Sequence, residues 1–341
     1  MARRLGISVV GNSLRDKIEL AKYAEAAGFE MVFTSDDPGQ DTFVALAALA
    51  CNTSTVKIGS GVCRSFIRNP IVTASASADV DELSNGRMIL GLATGTKRQN
   101  LFQYGIQVEK PAPQLREVIE IMRAVWAHKS SEPLAYKGTY YDISQIRYGD
   151  PWQPRERVPI YIAAVNKLMA QLAGELCEGM AGHPCYTRRF IEGFIEPNVA
   201  IGLKKAGRDR SSFDMGRWIT TVVSDDVESA RYDCKMGLGN YLATRSYGSL
   251  LDFHGWTAEK NAIQDAFFNQ RSMDAVAHAV TDEILDEMGI AGDSEQAREQ
   301  LLGHWDSCDI PILIPTGRDY TGAGRFQRTK ALIDTCAPLL R

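Results

Sequence analysis

Short apolar runs alternate with helical patterns along almost the whole chain. Eight of the runs have the composition of strands, and nearly all are followed by apolar residues at helical spacing. The runs are LGISVVG, EMVFTSD, VKIGSGV, MILGLATG, VPIYIAA, GMAGHP, MGRWITTVVSD and DIPILIPTG. Because the central runs are apolar throughout and open doubly wound sheets usually have fewer strands, the pattern predicts an α/β fold, a closed (β/α)8 TIM barrel.

One connection is too long for an ordinary crossover between strands. Residues 225–308 carry helical patterns such as MDAVAHAVTDEILDEMG, so we expect a mostly helical insertion before the last strand. A second connection contains PLAYKGTYYDI, which predicts a hairpin turning at Lys137–Gly138. No repeat, low-complexity segment or Pro/Ser-rich linker marks a boundary, and residues 1–341 are predicted to form a single domain.

Composition excludes several classes of function. A formal net charge of -4 and a pI near 5.8 argue against a nucleic-acid partner. No run approaches the roughly 18 apolar residues of a membrane span, and the start lacks the apolar core of a secretory signal. Seven scattered cysteines, without CxxC or a His/Cys cluster, predict free thiols, a cytoplasmic location and no metal site. The expected partner is a small-molecule substrate.

Binding residues of a barrel gather in the loops at the carboxyl ends of its strands. Here those loops are rich in glycine, small residues and hydroxyls, and poor in paired acids or histidines. This composition favours backbone-mediated binding of a flat, phosphorylated cofactor. GSGVCR has Arg64 where a dinucleotide fingerprint needs its third glycine, GLATGTK is not a P-loop, and HExxH and GxSxG are missing.

Several stretches resemble the bacterial luciferase-like superfamily of flavin and deazaflavin oxidoreductases, and within it the branch containing methylenetetrahydromethanopterin reductase. The densest are AAGFEMVFTSDD, VKIGSGVCRSFIRNPIVTASASADVDELSNGRMILGLATG, PQLREVIEIMRAVW with YKGTYYDI, and PIYIAAVNKLMAQLAGELCEGM. The resemblance implies a barrel that binds coenzyme F420, an 8-hydroxy-5-deazaflavin, or alternatively FMN. The arginine–proline spacing after GSGV and the DELSNGR helix end are more similar to the deazaflavin branch. A homodimer is common in the family and is expected here.

The resemblance also implies where the coenzyme lies. Relatives have a bulge after the third strand, with a non-prolyl cis peptide behind the ring; by motif that bond is Gly61–Val62, although an ordinary turn is the alternative from the residues alone. Cys63 is expected to pack against the ring. The phosphorylated arm is expected at the start of the helix that follows the fifth strand, where free N–H groups suit an anion. The residues implied for that arm are Ala163, Ala164, Val165, Asn166, Gly179 and Met180. Further contacts are implied at Thr94, Gly95, Thr96, Lys97 and Asn100.

Three residues are candidates for catalysis. Asp36 ends the second strand, where relatives place an acid near the ring; its alternative role is a helix cap. The following Asp37 occupies the position of a catalytic histidine in some deazaflavin dehydrogenases, so that base is lost. Thr96 stands where relatives carry a carboxylate and is a poor acid. His183, at a strand end, is a candidate proton relay, with a structural role as the alternative.

The predicted function is that of an F420-dependent oxidoreductase, in which the reduced coenzyme delivers a hydride from deazaflavin C5 to a C=C or C=N bond of a small organic substrate. Because no clear acid stands at the site, we expect the substrate or water to supply the proton. Two alternatives stay open. One is an FMN-dependent monooxygenase that receives FMNH2 from a partner reductase, and the other is a non-catalytic flavin- or deazaflavin-binding protein.

Overall fold

Eight parallel strands close into a barrel in the computed structural model, which describes residues 3–36, 39–128, 133–146, 158–318 and 323–340. Each of these eight strands pairs with the next of the eight along the chain, and the last pairs with the first. In ring order they are β1 (Gly6–Ser8), β2 (Met31–Thr34), β3 (Lys57–Ser60), β5 (Met88–Ala93), β8 (Ile160–Ile162), β9 (Gly179–Met180), β10 (Asp214–Val223) and β12 (Ile310–Pro315). Each of the eight predicted runs coincides with one of them, and only β10 begins one residue before its run, so the (β/α)8 fold is confirmed.

Four further strands lie outside the ring. β4 (Cys63–Arg64) continues beside β5 after the end of β3. β6 (Leu134–Lys137) and β7 (Asp142–Ile146) form the predicted antiparallel hairpin, in which the Gly138 N–H donates to the Tyr141 carbonyl at 2.8 Å. β11 (Gly289–Gly292) extends the edge of β10 in parallel.

The helices surround the barrel. They are α1 (Leu14–Ala27), α2 (Thr42–Asn52), α3 (Pro70–Leu83), α4 (Lys97–Tyr104), α5 (Pro111–Ala127), α6 (Lys167–Leu176), α7 (Arg188–Phe190), α8 (Glu196–Lys205), α9 (Val227–Leu242), α10 (Gly248–His254), α11 (Thr257–Asp265), α12 (Met273–Ala279), α13 (Asp282–Met288), α14 (Ser294–Trp305) and α15 (Ala323–Cys336). Two π-helical segments, Ile191–Ile195 and Ala266–Gln270, follow α7 and α11. Within the described residues, no helix combines the length and the apolar content that a membrane crossing needs.

Local sequence explains where these helices begin and end. Ser13 and Asp16 form a reciprocal capping box at the start of α1, and Gly28 ends it with a φ of 94°. The Asn69 side chain accepts a hydrogen bond from the Ile71 N–H at 2.9 Å, so that α3 begins at Pro70.

The segment 225–308 contains helices α9 to α14 and also strand β11. The sequence pattern does not predict this strand, because GIAG is short and stands between two helical patterns. Its residues Gly289–Gly292 lie level with Thr220–Val223 of β10, on the edge that β9 leaves uncovered. The segment therefore adds a strand beside β10 of the barrel as well as a group of helices.

Ion pairs close the amino end of the barrel. The Arg4 guanidinium donates to Glu30 at 2.8 Å and to Asp214 at 2.7 Å. Lys57 pairs with Glu30 at 2.9 Å, and the Tyr161 hydroxyl donates to Asp214. Each charged group here therefore has a partner of opposite sign.

Candidate active site

A cavity of about 1950 Å³ opens at the carboxyl ends of the strands. Residues within or just after every one of the eight ring strands line it, and the insertion covers one side. Pockets for a single small ligand take roughly 300–1,000 Å³. The cavity therefore has room for a cofactor and a substrate together.

The end of β3 forms one wall of this cavity. The Gly61–Val62 peptide bond is cis, as predicted, and the chain continues as β4 beside β5, so the feature is a bulge and not a turn. A side chain at residue 61 has no space, because its Cβ would lie 2.5 Å from the Trp218 ring and 3.0 Å from Phe33 Cβ. Trp218 itself lines the cavity and is only 5% exposed. Bare backbone and an indole ring thus meet at this wall.

Asp36 holds the bulge in place. Its carboxylate accepts a hydrogen bond from the Arg64 N–H at 2.8 Å, and its own N–H donates to the Val62 carbonyl at 3.3 Å. The same carboxylate accepts both arms of the Arg68 guanidinium, at 2.8 and 2.9 Å. The cap of α2 is Asp41 instead, whose side chain also binds Arg68, at 2.6 Å. Asp36 lies in the cavity wall with its oxygens occupied, and Asp37 lies outside the described residues.

The loop after β5 brings four of the predicted residues to the cavity: Thr94, Gly95, Thr96 and Lys97. The Thr96 side chain caps α4 by accepting from the Gln99 N–H at 3.1 Å. Asn100 lies behind this loop, 1% exposed and outside the lining, and its amide donates to the Thr94 carbonyl at 2.8 Å. Asn100 therefore supports the loop and does not face a ligand.

The loop after β8 contributes four more predicted residues to the lining: Ala163, Ala164, Val165 and Asn166. The Asn166 side chain caps α6 by accepting from the Met169 N–H at 3.1 Å. The small alanine side chains leave the backbone accessible at the point where the helix begins, which is the geometry that suits a phosphate group.

Besides Asn100, three predicted cofactor contacts lie outside the cavity lining. Cys63 is fully buried beneath the bulge, where burial raises the pKa of its thiol. Gly179 and Met180 are buried within β9 and pair with the first residues of β10, nearer the amino end of the barrel. The chain reaches the cavity only at Gly182 and His183. The predicted run GMAGHP is longer than β9, which has two residues, so the run does not show where the strand ends and the loop begins.

His183 lies in the cavity wall among tyrosine rings. Its ring centroid is 4.3 Å from that of Tyr247 and 5.8 Å from that of Tyr241. Burial lowers the pKa of His183 to about 3, so the imidazole is neutral near pH 7. Nδ1 accepts from the Cys185 N–H at 3.2 Å, which places the proton on Nε2. The environment suits a neutral hydrogen-bond donor better than a proton relay.

Positive charge dominates the lining. Its cations are Arg64, Lys97, Arg98, Arg245, Arg271 and Arg325. Among the described lining residues the one acid is Asp36, which Arg68 already binds. Of these six, only Lys97 is predicted from the sequence as a contact. Three of the others, Arg245, Arg271 and Arg325, lie in the insertion or on the last helix, where no strand end marks them.

The closed barrel agrees with the comparison with known proteins. The chain belongs to the luciferase-like monooxygenase family, whose model matches residues 2–307. The predicted family is thereby confirmed.

Individual relatives extend this result. The chain is 30% identical over 304 residues to a protein of Archaeoglobus fulgidus named 5,10-methylenetetrahydromethanopterin reductase, with 87% of this chain and 89% of the relative covered. The coenzyme F420-dependent tetrahydromethanopterin reductase of Methanopyrus kandleri superposes with a TM-score of 0.83 at 21% identity over 100% of both chains. An F420-dependent secondary alcohol dehydrogenase superposes with a TM-score of 0.76 at 18% identity, also over 100% of both chains. These two structural likenesses establish the shared fold.

Proposed function

We propose that this chain is a coenzyme F420-dependent oxidoreductase that uses the reduced coenzyme to transfer a hydride to a C=C or C=N bond of a small organic substrate. The observation that carries the proposal is the cavity itself, which joins a flat backbone wall to a lining rich in cations. A planar ring with a phosphorylated, acidic arm matches both properties. A protein of Mycobacterium tuberculosis named a putative coenzyme F420-dependent oxidoreductase, 29% identical over 323 residues, supports the same choice of coenzyme.

The residues present fit such a coenzyme. Gly61 and Val62 offer backbone to the face of a ring, since no side chain fits at residue 61. Ala163 and Ala164 leave room for an arm that ends at the start of α6, and Lys97 adds a cation from the loop after the neighbouring strand β5. The bound deazaflavin would supply the hydride, while the protein excludes water and orients the reacting groups.

The proton that accompanies the hydride is proposed to come from water or from the substrate. The Asp36 oxygens are occupied by Arg68 and by the Arg64 N–H, and the Thr96 hydroxyl oxygen accepts the capping hydrogen bond of α4. His183 is neutral near pH 7, because burial lowers its pKa to about 3. These three groups then bind and orient the ligands without transferring a proton. A pH–rate profile of the bound complex should therefore show no pKa that belongs to any of them.

Coenzyme affinity tests this function directly. We expect purified protein to quench or shift the fluorescence of F420 on titration, and to bind FMN more weakly. Raising the salt concentration should weaken F420 binding, since the exposed lining cations are screened. Lys97→Glu should weaken it further, about tenfold or more. The matched control is Lys204→Glu, on the exposed face of α8 and away from the cavity. Oxidation of F420H2 with a panel of unsaturated substrates then tests turnover.

An FMN-dependent monooxygenase is the second candidate, because the matching family model is described as a luciferase-like monooxygenase. Tight binding of FMN without binding of F420, together with oxygen consumption when FMNH2 is supplied, would replace the deazaflavin proposal with this one. Binding of F420 without oxidation of F420H2 by any substrate in the panel would favour a non-catalytic binding protein.

A further inference from the structure

The cavity has a second wall that the coenzyme does not explain. It comes from the insertion and is formed by Tyr241, Arg245, Tyr247, Phe267, Phe268 and Arg271, here called the insertion wall. The end of α9, the turn after it, and the π-helical segment Ala266–Gln270 with the residue that follows it supply these residues. Where the barrel side offers glycine, alanine and backbone, the insertion wall offers large rings and two guanidinium groups.

The two arginines of the insertion wall lack an acidic partner in the part of the chain that the structure describes. Neither Arg245 nor Arg271 forms an ion pair with any residue in the described ranges of the chain. The Arg245 guanidinium lies over the Phe268 ring, 5.1 Å from its centroid, which orients the side chain without neutralising it. The acid in the lining, Asp36, follows β2 and is bound by Arg68. The charge on the insertion wall is therefore available to an anion.

The rings of the insertion wall present flat apolar faces. The Tyr247 ring lies 4.3 Å from the His183 ring, and Phe267 meets Phe268 edge to face at 5.1 Å between centroids. Aromatic faces arranged in this way favour planar, conjugated partners over branched aliphatic ones. Arginine binds a carboxylate through two parallel hydrogen bonds, which a neutral group of the same shape cannot accept equally well.

We propose that the substrate is a planar unsaturated organic acid, whose anionic group binds Arg245 and Arg271 and whose flat body packs against the rings of the insertion wall. The assignment as a hydride acceptor rests on the proposed function; the anion preference does not. The barrel side retains its own cations, Arg64, Lys97 and Arg98, for the coenzyme arm. Coenzyme and substrate would then each meet a separate group of cations.

A pair of probes that differ only in charge tests this inference. Calorimetric titration with trans-cinnamate and with its neutral amide, cinnamamide, is performed first without any coenzyme. We expect the wild-type protein to bind cinnamate about tenfold more tightly than cinnamamide. The double variant Arg245→Ala/Arg271→Ala should lose this preference, and Arg245→Lys/Arg271→Lys should keep part of it. The matched control is Arg15→Ala, an exposed arginine of α1 that does not line the cavity, and it should behave as wild type.

Coenzyme titrations of the same proteins separate the possible outcomes. If the double alanine variant binds cinnamate as well as wild type does, or if neither probe binds the wild-type protein, the proposed substrate site is wrong. If the variant instead loses F420 affinity and keeps its probe preference, the two arginines belong to the coenzyme arm and the proposal is also overturned. Failure of F420 to bind any of the proteins would remove the proposed function, and the probe measurement would still stand by itself.

Discussion

The two ends of the barrel differ in how their charged side chains are paired. At the amino end, Arg4 pairs with Glu30 and Asp214, and Lys57 pairs with Glu30. At the carboxyl end, six lining cations face one lining acid among the described residues, and Arg68 already binds that acid. The chain as a whole is slightly negative, with a formal net charge of -4, so the excess of cations at one end is local.

This difference leads us to expect two kinds of charge. Paired charges stabilise the fold, whereas Arg245 and Arg271, which form no ion pair within the described residues, are available to a ligand. Removing one member of a buried or half-buried pair leaves its partner unneutralised and costs stability. Removing an unpaired, exposed cation costs the fold little, but it reduces the attraction for an anion. The same substitution at the two ends should therefore change different measured quantities.

The largest effect is expected at the wall of the cavity, where Gly61→Leu should lower F420 affinity by at least about 100-fold. The new side chain would collide with the Trp218 ring, which lies 2.5 Å from the position of a Cβ. Gly61→Ala, which adds one methyl group, should have a smaller effect in the same direction. Fluorescence titration gives the affinity, and thermal melting followed by circular dichroism checks that the variants fold.

Gly303→Ala serves as the matched control, because a Cβ at this exposed helical position meets no atom within 4 Å. It should leave coenzyme affinity unchanged and raise stability by up to about 1 kcal/mol. A folded Gly61→Leu protein that binds F420 with wild-type affinity would show that the ring does not rest on this wall.

At the amino end, Arg4→Ala should lower the free energy of unfolding by about 2–3 kcal/mol and leave coenzyme affinity unchanged. Glu30 and Asp214 would lose their shared cation, while their partial exposure to solvent limits the cost. Urea denaturation measures the effect. Arg271→Ala removes an arginine at the other end that forms no ion pair with any described residue, and it should change stability by less than about 0.5 kcal/mol. Equal losses of stability in both variants would contradict the distinction between the two ends.

The fold could be predicted from the sequence because each strand is a separate apolar run and the chain order fixes its place in the ring. For the same reason, backbone positions such as Gly61–Val62 and 94–97 could be placed at the cavity without knowing any side-chain contact. The side chains of residues next to these positions in the sequence were harder to assign to the cavity or to the core. Cys63 and Asn100 are adjacent in sequence to the lining, yet both side chains are buried away from it.

Two other features could not be predicted from the local pattern. Gly179 and Met180 are the two residues of β9 itself and lie before the cavity. Nothing in GMAGHP marks where strand pairing stops and the cavity lining begins. Arg245 and Arg271 belong to the insertion, whose path over the barrel depends on packing among its own helices. The role proposed for them follows from the absence of an acidic partner among the described residues, which is a property of the folded chain.

His183 offers a smaller test of the carboxyl end, because it is a polar group that is buried there without charge. Its pKa is about 3 in the folded protein and near its usual value in the unfolded chain, so the unfolded state binds more protons between these values. Stability should therefore fall as the pH decreases, by about 2 kcal/mol from this residue between about pH 7 and pH 5.

Urea denaturation of wild type and His183→Gln at both pH values isolates this contribution, since glutamine does not titrate. His254 and His304, whose pKa values burial also lowers to about 4, remain in both proteins and contribute equally. The same pH dependence in the two proteins would mean that His183 is accessible to protons in the folded state, and the proton-relay hypothesis would regain support.

The smallest expected effect concerns the hydroxyl of Thr96, which separates a structural role at the cavity from a chemical one. Thr96→Ala should cost about 1 kcal/mol of stability, because α4 loses the side chain that accepts from the Gln99 N–H. Thr96→Asn should retain the cap without a hydroxyl group, and therefore match wild type both in stability and in the rate of F420H2 oxidation. If Thr96→Asn keeps its stability but loses about tenfold or more in that rate, the hydroxyl takes part in the reaction. In that case the cavity does hold a proton-handling group, and Thr96→Asp, which introduces a carboxylate at the same position, should restore the rate.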